Sequence, residues 1–438
     1  MSPPDAPPAG RHGSPARTLG LVTAVAMVVA NMIGTGVFTT SGFLLADLKS
    51  PERVLFVWIV GGVIAFLGAL CYGALSRRIP ESGGEYLFLS RTLHPSLGYV
   101  AGWISLLVGF SAPLAAAAFA FGQYASPWTG SFTPRISGSA LLIVFCLLHA
   151  FSIQRGAWVQ NLTVIAKVGL IAGFILFGAT RLPVLPAMES TSVPAATVAV
   201  SLVWVMFSYS GWNAAIYISG EVRDPEVNLP RALVIGTLLV TGLYVALNAV
   251  FMYSAPASAL AGKLEIGRIA AEALGGSRWG IAVTLIVALA LISSVSSMMM
   301  AGPRVYARMA QDGYLPEALR VPTGEAPRNG MVLQLAVSLV MLWSTTYDGL
   351  LTYIGFTLGI STALTVVGLV RLRRREGPAL PVPGWPWVPL LFVAAVIVIT
   401  VLTIGMRPLV SLYGMATLAI GWGVWRFHAR ALSRTAAR

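Results

Sequence analysis

Residues 31 to 36 read NMIGTG and interrupt an otherwise apolar run, LGLVTAVAMVVANMIGTGVFTTSGFLLADL, that extends from residue 19 to residue 48. The run is long enough to cross the roughly 30 Å hydrocarbon core of a bilayer as a helix, which takes about 20 residues. Glycine costs about 1 kcal/mol relative to alanine inside a helix, and backbone groups freed in hydrocarbon need protein or a water-filled cavity around them. The stretch therefore predicts a membrane helix that is broken at mid-span beside a cavity.

The composition of the whole chain indicates an all-α integral membrane protein. Of its 438 residues, 56% are hydrophobic and 10% are charged, against about 25% charged in an average soluble domain, and the mean hydropathy is +0.79. Twelve apolar segments are long enough to be membrane helices. We predict them at residues 19–46, 54–76, 97–125, 137–153, 157–180, 195–219, 231–255, 279–303, 330–346, 349–370, 387–406 and 408–427.

The sixth segment carries a second interruption, the run FSYSGWN from Phe207 to Asn213. Close packing against another helix explains the small residues of either run taken alone. If the first ten helices form two halves of five, however, the two runs occupy equivalent positions, and such pairs are typical of a transporter binding site at the bilayer midplane. Because five is odd, the second half enters from the opposite side and the repeat is inverted.

Broken helices also predict which ligand such a site binds. Unpaired N–H groups at the start of a half-helix favour a carboxylate, and unpaired C=O groups at the end of a half-helix favour an ammonium group. A site with both kinds of end is therefore expected to bind a zwitterion.

The basic residues predict the orientation of the chain in the membrane. Of the 29 Lys and Arg residues, 20 fall on one set of alternate loops and 8 on the other, with Lys167 left inside a segment. The richer side, which carries both termini, is expected to be cytoplasmic, so we predict a multi-pass protein of the cell inner (plasma) membrane. The net charge of +13 is explained by these loops, and we expect no nucleic-acid partner.

Three motifs resemble the amino acid-polyamine-organocation superfamily of transporters, and bacterial homologues of its L-type amino acid transporter branch in particular. They are NMIGTGVF at 31–38, FSYSGWNAAIYISGEVRDPEVNLPRAL at 207–233 and AGPRVYARMAQDGYLP at 301–316. The resemblance implies the leucine-transporter fold. The expected organisation is a disordered tail at 1–17, a first repeat of helices 1–5 at 18–181, a second repeat of helices 6–10 at 195–376, helices 11–12 at 385–428, and a tail at 429–438.

The resemblance also assigns a substrate site to the two interruptions. In the first, Gly34, Thr35 and Gly36 are expected to meet the substrate carboxylate, with the carbonyls of Met32 and Ile33 near its amine. In the second, Phe207 is expected to form a proximal gate, and the backbone of Phe207, Ser208 and Ser210 is expected to lie near the amine. The small residues Ser208, Ser210 and Gly211 leave space for a substrate side chain, and Asn213 is expected to be a polar pocket residue. An alternative for Asn213 is an amide that joins two helices.

Lys167 lies ten residues into the fifth segment, AWVQNLTVIAKVGLIAGFILFG. A lysine inside the membrane indicates a functional site, although a snorkelling lysine is the alternative. Related sodium-independent transporters carry a lysine here whose ammonium replaces a sodium ion and touches first-helix carbonyls and an eighth-helix hydroxyl. The matching hydroxyl is Ser294, with Ser293 and Ser297 as other choices. Burial without a carboxylate would also favour the neutral amine, so Lys167 is equally a candidate proton site.

The remaining candidates for the site are weaker signals in the apolar segments. Ser111 is expected to face the pocket from the third helix. Tyr353 and Phe356 are expected to form an outer gate, separate from the proximal gate at Phe207. None of the 16 acidic residues falls in the middle of an apolar segment. We therefore expect an uncharged pocket, which disfavours cationic or strongly acidic substrates.

The function predicted from these features is sodium-independent transport of neutral L-amino acids by alternating access, as an exchanger. Proton-coupled symport is the main alternative, and a receptor or channel on the same fold is a third possibility. A membrane enzyme is disfavoured because no nucleophile elbow, Walker loop or metal-ligand cluster occurs in the sequence, and we expect no cofactor or metal. The L-type transporters of animals, which the chain resembles, have a cysteine in the loop after the third helix that links them to a heavy chain. The corresponding loop here, ASPWTGSFTPRISG, has no cysteine, so the resemblance implies a protein that works without a disulfide-linked heavy chain.

Overall fold

The computed structural model describes residues 19–151, 156–183, 192–321 and 327–436, with side-chain surroundings described for 19–150, 164–183, 192–321 and 327–427. The predicted tail at 1–17 and the predicted end of the fourth segment at residue 153 lie outside these ranges. The described chain is almost entirely helical, and its only strand pairing is one isolated bridge between Leu19 and Val222.

The first part of the described chain contains eight α-helices. In order they are α1 (Leu21–Met32), α2 (Gly36–Leu48), α3 (Pro51–Arg78), α4 (Gly84–Thr92), α5 (Pro95–Ile104), α6 (Ala112–Thr129), α7 (Pro134–Phe151) and α8 (Gly156–Ala179). A π-helical segment, Ser105–Ser111, joins α5 to α6 without a loop.

The second part contains nine more α-helices. They are α9 (Ala195–Tyr209), α10 (Pro225–Ser254), α11 (Ala257–Leu260), α12 (Ile266–Gly275), α13 (Ser277–Gln311), α14 (Arg328–Ser344), α15 (Tyr347–Glu376), α16 (Trp387–Met406) and α17 (Pro408–Ala436). Short 3₁₀ segments follow α9, α13 and α15, at Ala214–Glu221, Glu317–Leu319 and Gly377–Ala379. The helical backbone of α17 continues to Ala436, through most of the predicted tail at 429–438.

Nine helical spans in the described ranges are long and apolar enough to cross a membrane. They are Leu21–Leu48, Pro51–Arg78, Pro95–Thr129, Ala195–Glu221, Pro225–Ser254, Ser277–Gln311, Tyr347–Ala379, Trp387–Met406 and Pro408–Phe427. Two further apolar helices, Pro134–Ala150 and Val164–Ala179, are shorter, and α14 has 17 residues. The all-helical membrane class is confirmed, while the count of twelve crossings stays a prediction.

The two interrupted helices occupy matching places in the helix order. The α1–α2 pair is followed by the long helix α3, and α9 with its 3₁₀ segment is followed by the long helix α10. Helices α3 and α10 pack against each other along their length. Small residues permit this approach, since a Cβ added to Gly73 of α3 would lie 3.1 Å from Pro230 of α10.

A second close contact joins α6 and α7, whose small residues face each other. A Cβ added to Gly138 would lie 2.5 Å from the carbonyl oxygen of Ala118, and Ala115 to Ala118 are buried. The alanine-rich stretch of the third predicted segment therefore serves helix packing, which is the usual role of small residues in membrane helices.

The short helices α11 and α12 form a cover that the hydropathy pattern did not predict. The buried residues of α12 include Ile266, Ala270 and Leu274, which recur every four residues and form one apolar face. The cover is tied to α2 because the Gly262 N–H donates to the Gly42 carbonyl at 2.7 Å. It closes the end of the molecule toward which α2 extends.

Candidate functional site

The first interruption separates α1 from α2 at residues 33 to 35. Ile33 leaves the helical conformation with ψ of 81°, and α2 begins at Gly36. The Phe38 N–H donates to the Thr35 carbonyl at 3.1 Å. Because the first N–H groups of a helix have no partner within it, those of Thr35, Gly36 and Val37 are donors at the start of α2, the arrangement that favours an anion at other helix starts.

The second interruption ends α9 after Tyr209. Ser210 adopts an extended conformation with ψ of 147°, and its N–H donates to the Phe207 carbonyl at 2.9 Å. Gly211 has φ of +98°, a value that favours glycine because it lacks a Cβ. The chain then resumes in the 3₁₀ segment Ala214–Glu221, so the last carbonyls of α9 lack their usual helical partners.

The two interruptions touch each other, and glycine is required at both contacts. A Cβ added to Gly36 would lie 2.5 Å from Cα and Cβ of Ser208. A Cβ added to Gly211 would lie 2.7 Å from the backbone C and O atoms of Asn31. Both distances are far below ordinary van der Waals separation, so the glycines allow the two broken helices to cross at the level of their breaks.

Tyr244 of α10 joins the two interruptions, although no pattern in the sequence singles it out. Its hydroxyl donates to the Met32 carbonyl at the end of α1, and the Ser208 carbonyl of α9 lies 3.2 Å from the same oxygen. The side chain is 1% exposed. A tyrosine in an apolar helix usually contributes only its ring to packing. Tyr244 differs because its hydroxyl also contacts a carbonyl at each of the two breaks.

Lys167 and Ser294 converge on the carbonyl oxygen of Ile33. The Lys167 ammonium donates to it at 2.8 Å, and the Ser294 hydroxyl lies at 3.4 Å. Lys167 is 4% exposed, and none of the ion pairs formed by the described residues includes it. The lysine therefore does not snorkel to an interface but places its amino group at the end of α1.

A cavity of about 820 Å³ opens beside the crossing of the two broken helices, within the range of about 300–1,000 Å³ typical of small-molecule sites. It is lined by most of the predicted site residues: Met32, Gly34, Thr35, Gly36, Phe207, Ser208, Ser210, Gly211, Asn213 and Ser294. Ile33 and Lys167 lie behind the lining. The structure thus brings both predicted halves of the site to one cavity.

Three predicted residues lie away from this cavity. Ser111, at the end of the π-helical segment, is fully buried, and its neighbours Phe110 and Pro113 line the cavity instead. Tyr353 turns to α17, where its hydroxyl lies 2.8 Å from that of Thr417. Phe356 faces a small space between α9, α15 and α16. The cavity lining therefore gives no support to a substrate contact by Ser111 or to gating by Tyr353 and Phe356.

The expectation of an uncharged pocket is wrong, because the carboxylate of Glu85 lines the cavity. Glu85 is 5% exposed and belongs to α4, a helix outside every predicted apolar segment. The expectation rested on acidic residues within those segments alone. The signal available in the sequence was ESGGEY at 81–86, where two glycines directly precede a carboxylate beside a membrane helix.

On the α2 side of the breaks, beyond the cavity lining, four aromatic residues form a cluster that we call the aromatic plug: Phe43, Phe119, Trp204 and Tyr347. Tyr347 stacks on Phe119 with ring centroids 5.6 Å apart, and Phe43 meets Trp204 edge-on at 5.9 Å. Two hydrogen bonds hold the aromatic plug in place. Trp204 Nε1 donates to the Thr352 hydroxyl at 2.8 Å, and the hydroxyls of Tyr347 and Thr39 lie 2.7 Å apart.

At the opposite end the cavity is lined by polar and charged residues and is open. Ser82, Glu221, Arg304, Arg308 and Gln311 contribute to this mouth. Next to it, the Leu19 N–H donates to the Glu221 carbonyl at 3.0 Å, which ties the start of α1 to the end of the second broken helix. Among the described residues there is no group of three or more His, Cys, Asp or Glu that could hold a metal ion.

Comparison with known proteins agrees with this arrangement. A protein-family model described as amino acid permease matches residues 19–425. The serine/threonine exchanger SteT of Bacillus subtilis (strain 168) is 27% identical over 425 residues, covering 93% of this chain and 97% of the relative. Large neutral amino acids transporter small subunit 2 of Rattus norvegicus is 29% identical over 432 residues, covering 93% and 80%. The b(0,+)-type amino acid transporter 1 of Mus musculus is 26% identical over 411 residues, covering 90% and 83%.

Proposed function

The chain belongs to the amino acid permease family of the amino acid-polyamine-organocation superfamily, and on this basis we propose that it is a sodium-independent transporter of neutral L-amino acids that works by exchange. One observation carries the proposal: two broken helices cross at their breaks beside a cavity of about 820 Å³. Such a site near the middle of the membrane is typical of secondary transporters. The relatives of this chain include a serine/threonine exchanger and a transporter of large neutral amino acids.

The two breaks supply complementary partners for an amino acid backbone. The free N–H groups of Thr35, Gly36 and Val37 suit the substrate carboxylate, because a helix start favours an anion. The carbonyls at the end of α9 and the side chain of Asn213, which lines the cavity, suit the ammonium group. A zwitterion satisfies both ends without a net charge on the substrate.

The position of the Lys167 ammonium supports sodium independence. It lies 2.8 Å from the Ile33 carbonyl, where it supplies the positive charge that a bound cation would otherwise bring to the end of α1. The nearby Ser294 hydroxyl completes a contact between α1, α8 and α13. We therefore propose that Lys167 and Ser294 hold the first break in its binding conformation.

The proposed architecture is the leucine-transporter fold with two inverted repeats of five helices and two additional helices. The repeats correspond to residues 18–181 and 195–376, and the extra helices to 385–428. We propose twelve crossings with both termini in the cytoplasm, so that the mouth lined by Arg304 and Arg308 faces the cytoplasm. The cavity described above is then the inward-open state, closed to the outside by the aromatic plug.

We further propose that transport needs no disulfide-linked partner. The two cysteines of the chain, Cys71 and Cys146, are both buried and lie within α3 and α7. A thiol inside a membrane helix cannot meet a cysteine of a second chain outside the membrane.

Proton-coupled symport is the second candidate, and the same lysine favours it. Lys167 has no carboxylate partner among the ion pairs of the described residues, so gain or loss of a proton would change the charge of the site itself. In symport Lys167 would be the proton carrier, whereas in exchange it is a permanent cation.

Uptake by purified protein in proteoliposomes distinguishes these functions. Labelled L-serine, L-threonine and L-leucine, with L-lysine and L-glutamate for comparison, are supplied at pH 7 without sodium to vesicles that are empty or preloaded with unlabelled amino acid. We expect saturable uptake of the neutral amino acids into preloaded vesicles only. Accumulation in empty vesicles driven by an inward proton gradient would favour symport, and an absence of saturable uptake would overturn the transporter proposal.

A further inference from the structure

Glu85 is a buried carboxylate at the cavity whose partners come from two other parts of the chain. Tyr72 of α3 donates to it at 3.1 Å. From the second broken helix, Asn213 Nδ2 at the end of the interruption donates at 2.5 Å, and the Tyr217 hydroxyl of the 3₁₀ segment donates at 2.5 Å. None of the ion pairs formed by the described residues includes Glu85. Three neutral hydrogen-bond donors and its position in the first turn of α4 are its stabilising surroundings.

The carboxylate decides which way the Asn213 amide faces. A side-chain amide offers a donor nitrogen and an acceptor oxygen, whereas an ionised carboxylate only accepts hydrogen bonds. The Asn213 nitrogen must therefore face Glu85. Because Asn213 is only partly buried and lines the cavity, its Oδ1 atom is the amide atom left for a ligand, and it can only accept.

We propose that Glu85 is a positioning residue for substrate: it fixes the Asn213 amide so that Asn213 presents an acceptor oxygen to the substrate ammonium group. This inference rests on the proposed transport of amino acids and names how the amine end of the substrate is recognised. Without the carboxylate, the amide is free to turn its nitrogen toward the cavity, where a donor would oppose an ammonium group.

The surroundings of Glu85 hold it in a fixed position. A Cβ added to the preceding Gly84, which has φ of +57°, would lie 2.6 Å from Cδ1 of Tyr217, so α4 packs tightly on the second broken helix. The Ser82 hydroxyl accepts a hydrogen bond from the Gly220 N–H at 2.9 Å.

On its other side α4 is anchored by the Tyr86 hydroxyl, which donates to Asp312 at 2.6 Å. Burial and the Asp312 carboxylate raise the pKa of Tyr86, so its hydroxyl remains a neutral donor.

The test exchanges the polarity of the Glu85–Asn213 pair. Uptake kinetics in proteoliposomes are measured for E85Q, N213D and the double variant. The labelled substrate is the one of L-serine, L-threonine and L-leucine that the wild-type protein takes up fastest. We expect E85Q to raise KM roughly tenfold or more, with a smaller change in maximal rate, because a neutral amide at position 85 can donate as well as accept and so no longer fixes which way the Asn213 amide faces. N213D should abolish uptake because two carboxylates then face each other at hydrogen-bond distance.

The double variant restores a matched pair with the roles reversed. The amide introduced at position 85 can donate to the carboxylate introduced at position 213, and the second oxygen of that carboxylate again presents an acceptor to the cavity. Uptake by the double variant should therefore rise well above that of N213D. The rescue should appear in KM, whereas a purely structural role for Glu85 would change the folded yield and the maximal rate instead.

Glu81 provides the matched control. It lies four residues from Glu85 but is exposed and pairs with Arg91 at 2.7 Å, so E81Q should retain wild-type KM. Wild-type KM in E85Q, or a folded double variant no more active than N213D, would overturn the role of Glu85 while leaving transport intact. No uptake by the wild type would overturn transport and this inference together.

Discussion

At the scale of single residues, Lys167 contacts the first break through the Ile33 carbonyl. We expect Lys167→Ala to lower uptake at least tenfold, because a hydrogen bond from a charged donor contributes about 1.5–3 kcal/mol and the Ile33 carbonyl would lose it. The measurement is initial uptake rate in proteoliposomes, with the folded fraction checked by size-exclusion chromatography. Lys263→Ala, which changes an exposed lysine, is the control and should retain wild-type uptake. Wild-type uptake by Lys167→Ala would contradict the role.

The two glycines at the crossing lead to a second prediction. Gly36→Ala should abolish uptake and lower the melting temperature, because the added Cβ would lie 2.5 Å from Ser208 Cα and the backbone cannot move without separating the breaks. Gly173→Ala in α8 is the matched control, since a Cβ there meets nothing within 4 Å. It should be neutral or slightly stabilising, because alanine is a better helix former than glycine. A Gly36→Ala variant with normal uptake would exclude the tight crossing.

The residues that could be predicted from the sequence are those that break a local rule. Gly34, Thr35 and Gly36 stand out because helix propensity and hydrocarbon both oppose them, and Lys167 stands out because of its charge. Tyr244 and Glu85 break no local rule: one is an aromatic residue in an apolar helix, and the other is an acid beside a polar loop. Glu85 contacts Asn213, 128 residues away, and Tyr244 contacts Met32, 212 residues away. Only the folded chain brings these partners together.

At the scale of secondary-structure elements, hydropathy predicts where apolar helices lie but not where they end or what lies between them. The eighth segment is predicted at 279–303, whereas α13 runs to Gln311, because the polar sequence RVYARMAQ remains helical after the apolar run has ended. Helices α4 and α12 lie outside the apolar runs, so hydropathy alone assigns their residues to loops. The π-helical segment before α6 has no periodic signature in the sequence.

The aromatic plug gives a prediction about elements that move. Tyr347→Phe removes its hydrogen bond to Thr39 of α2, and Trp204→Phe removes the one to Thr352 of α15. Both losses weaken the contact that closes the cavity on the α2 side. We expect the double variant to be open to that side for a larger fraction of the time, since two buried hydrogen bonds contribute roughly 1–3 kcal/mol together.

Cysteine labelling measures this opening. Ser297→Cys places a thiol on the cavity lining, and the two native cysteines are buried and provide the background. In intact cells a small charged methanethiosulfonate reagent added outside should label Ser297→Cys several-fold faster when Tyr347→Phe and Trp204→Phe are also present. Equal labelling rates with and without the plug variants would show that closure does not depend on these bonds.

At the scale of the whole molecule, the charge distribution predicts which way the cavity opens. The mouth residues Arg304 and Arg308 belong to the set of alternate loops that holds 20 of the 29 basic residues. The cover formed by α11 and α12 belongs to the other set of loops, which holds 8 basic residues. The positive-inside rule therefore predicts that the mouth faces the cytoplasm and the cover faces outward. It also assigns the loops at 262 and at 376 to opposite sides, although both adjoin long apolar helices.

Reporter fusions test this orientation directly. We expect alkaline phosphatase, which is active only outside the cytoplasm, to be active when fused after Gly262 and inactive when fused after Glu376, and a fluorescent protein fused after Glu376 to fluoresce. The reason is that four arginines between residues 371 and 375 disfavour translocation of the second loop. If the phosphatase were active after Glu376, the mouth would face outward and the aromatic plug would be the cytoplasmic barrier. The same labelling experiment would then require reagent added to inside-out vesicles, so the two measurements together fix both the orientation and the closed side.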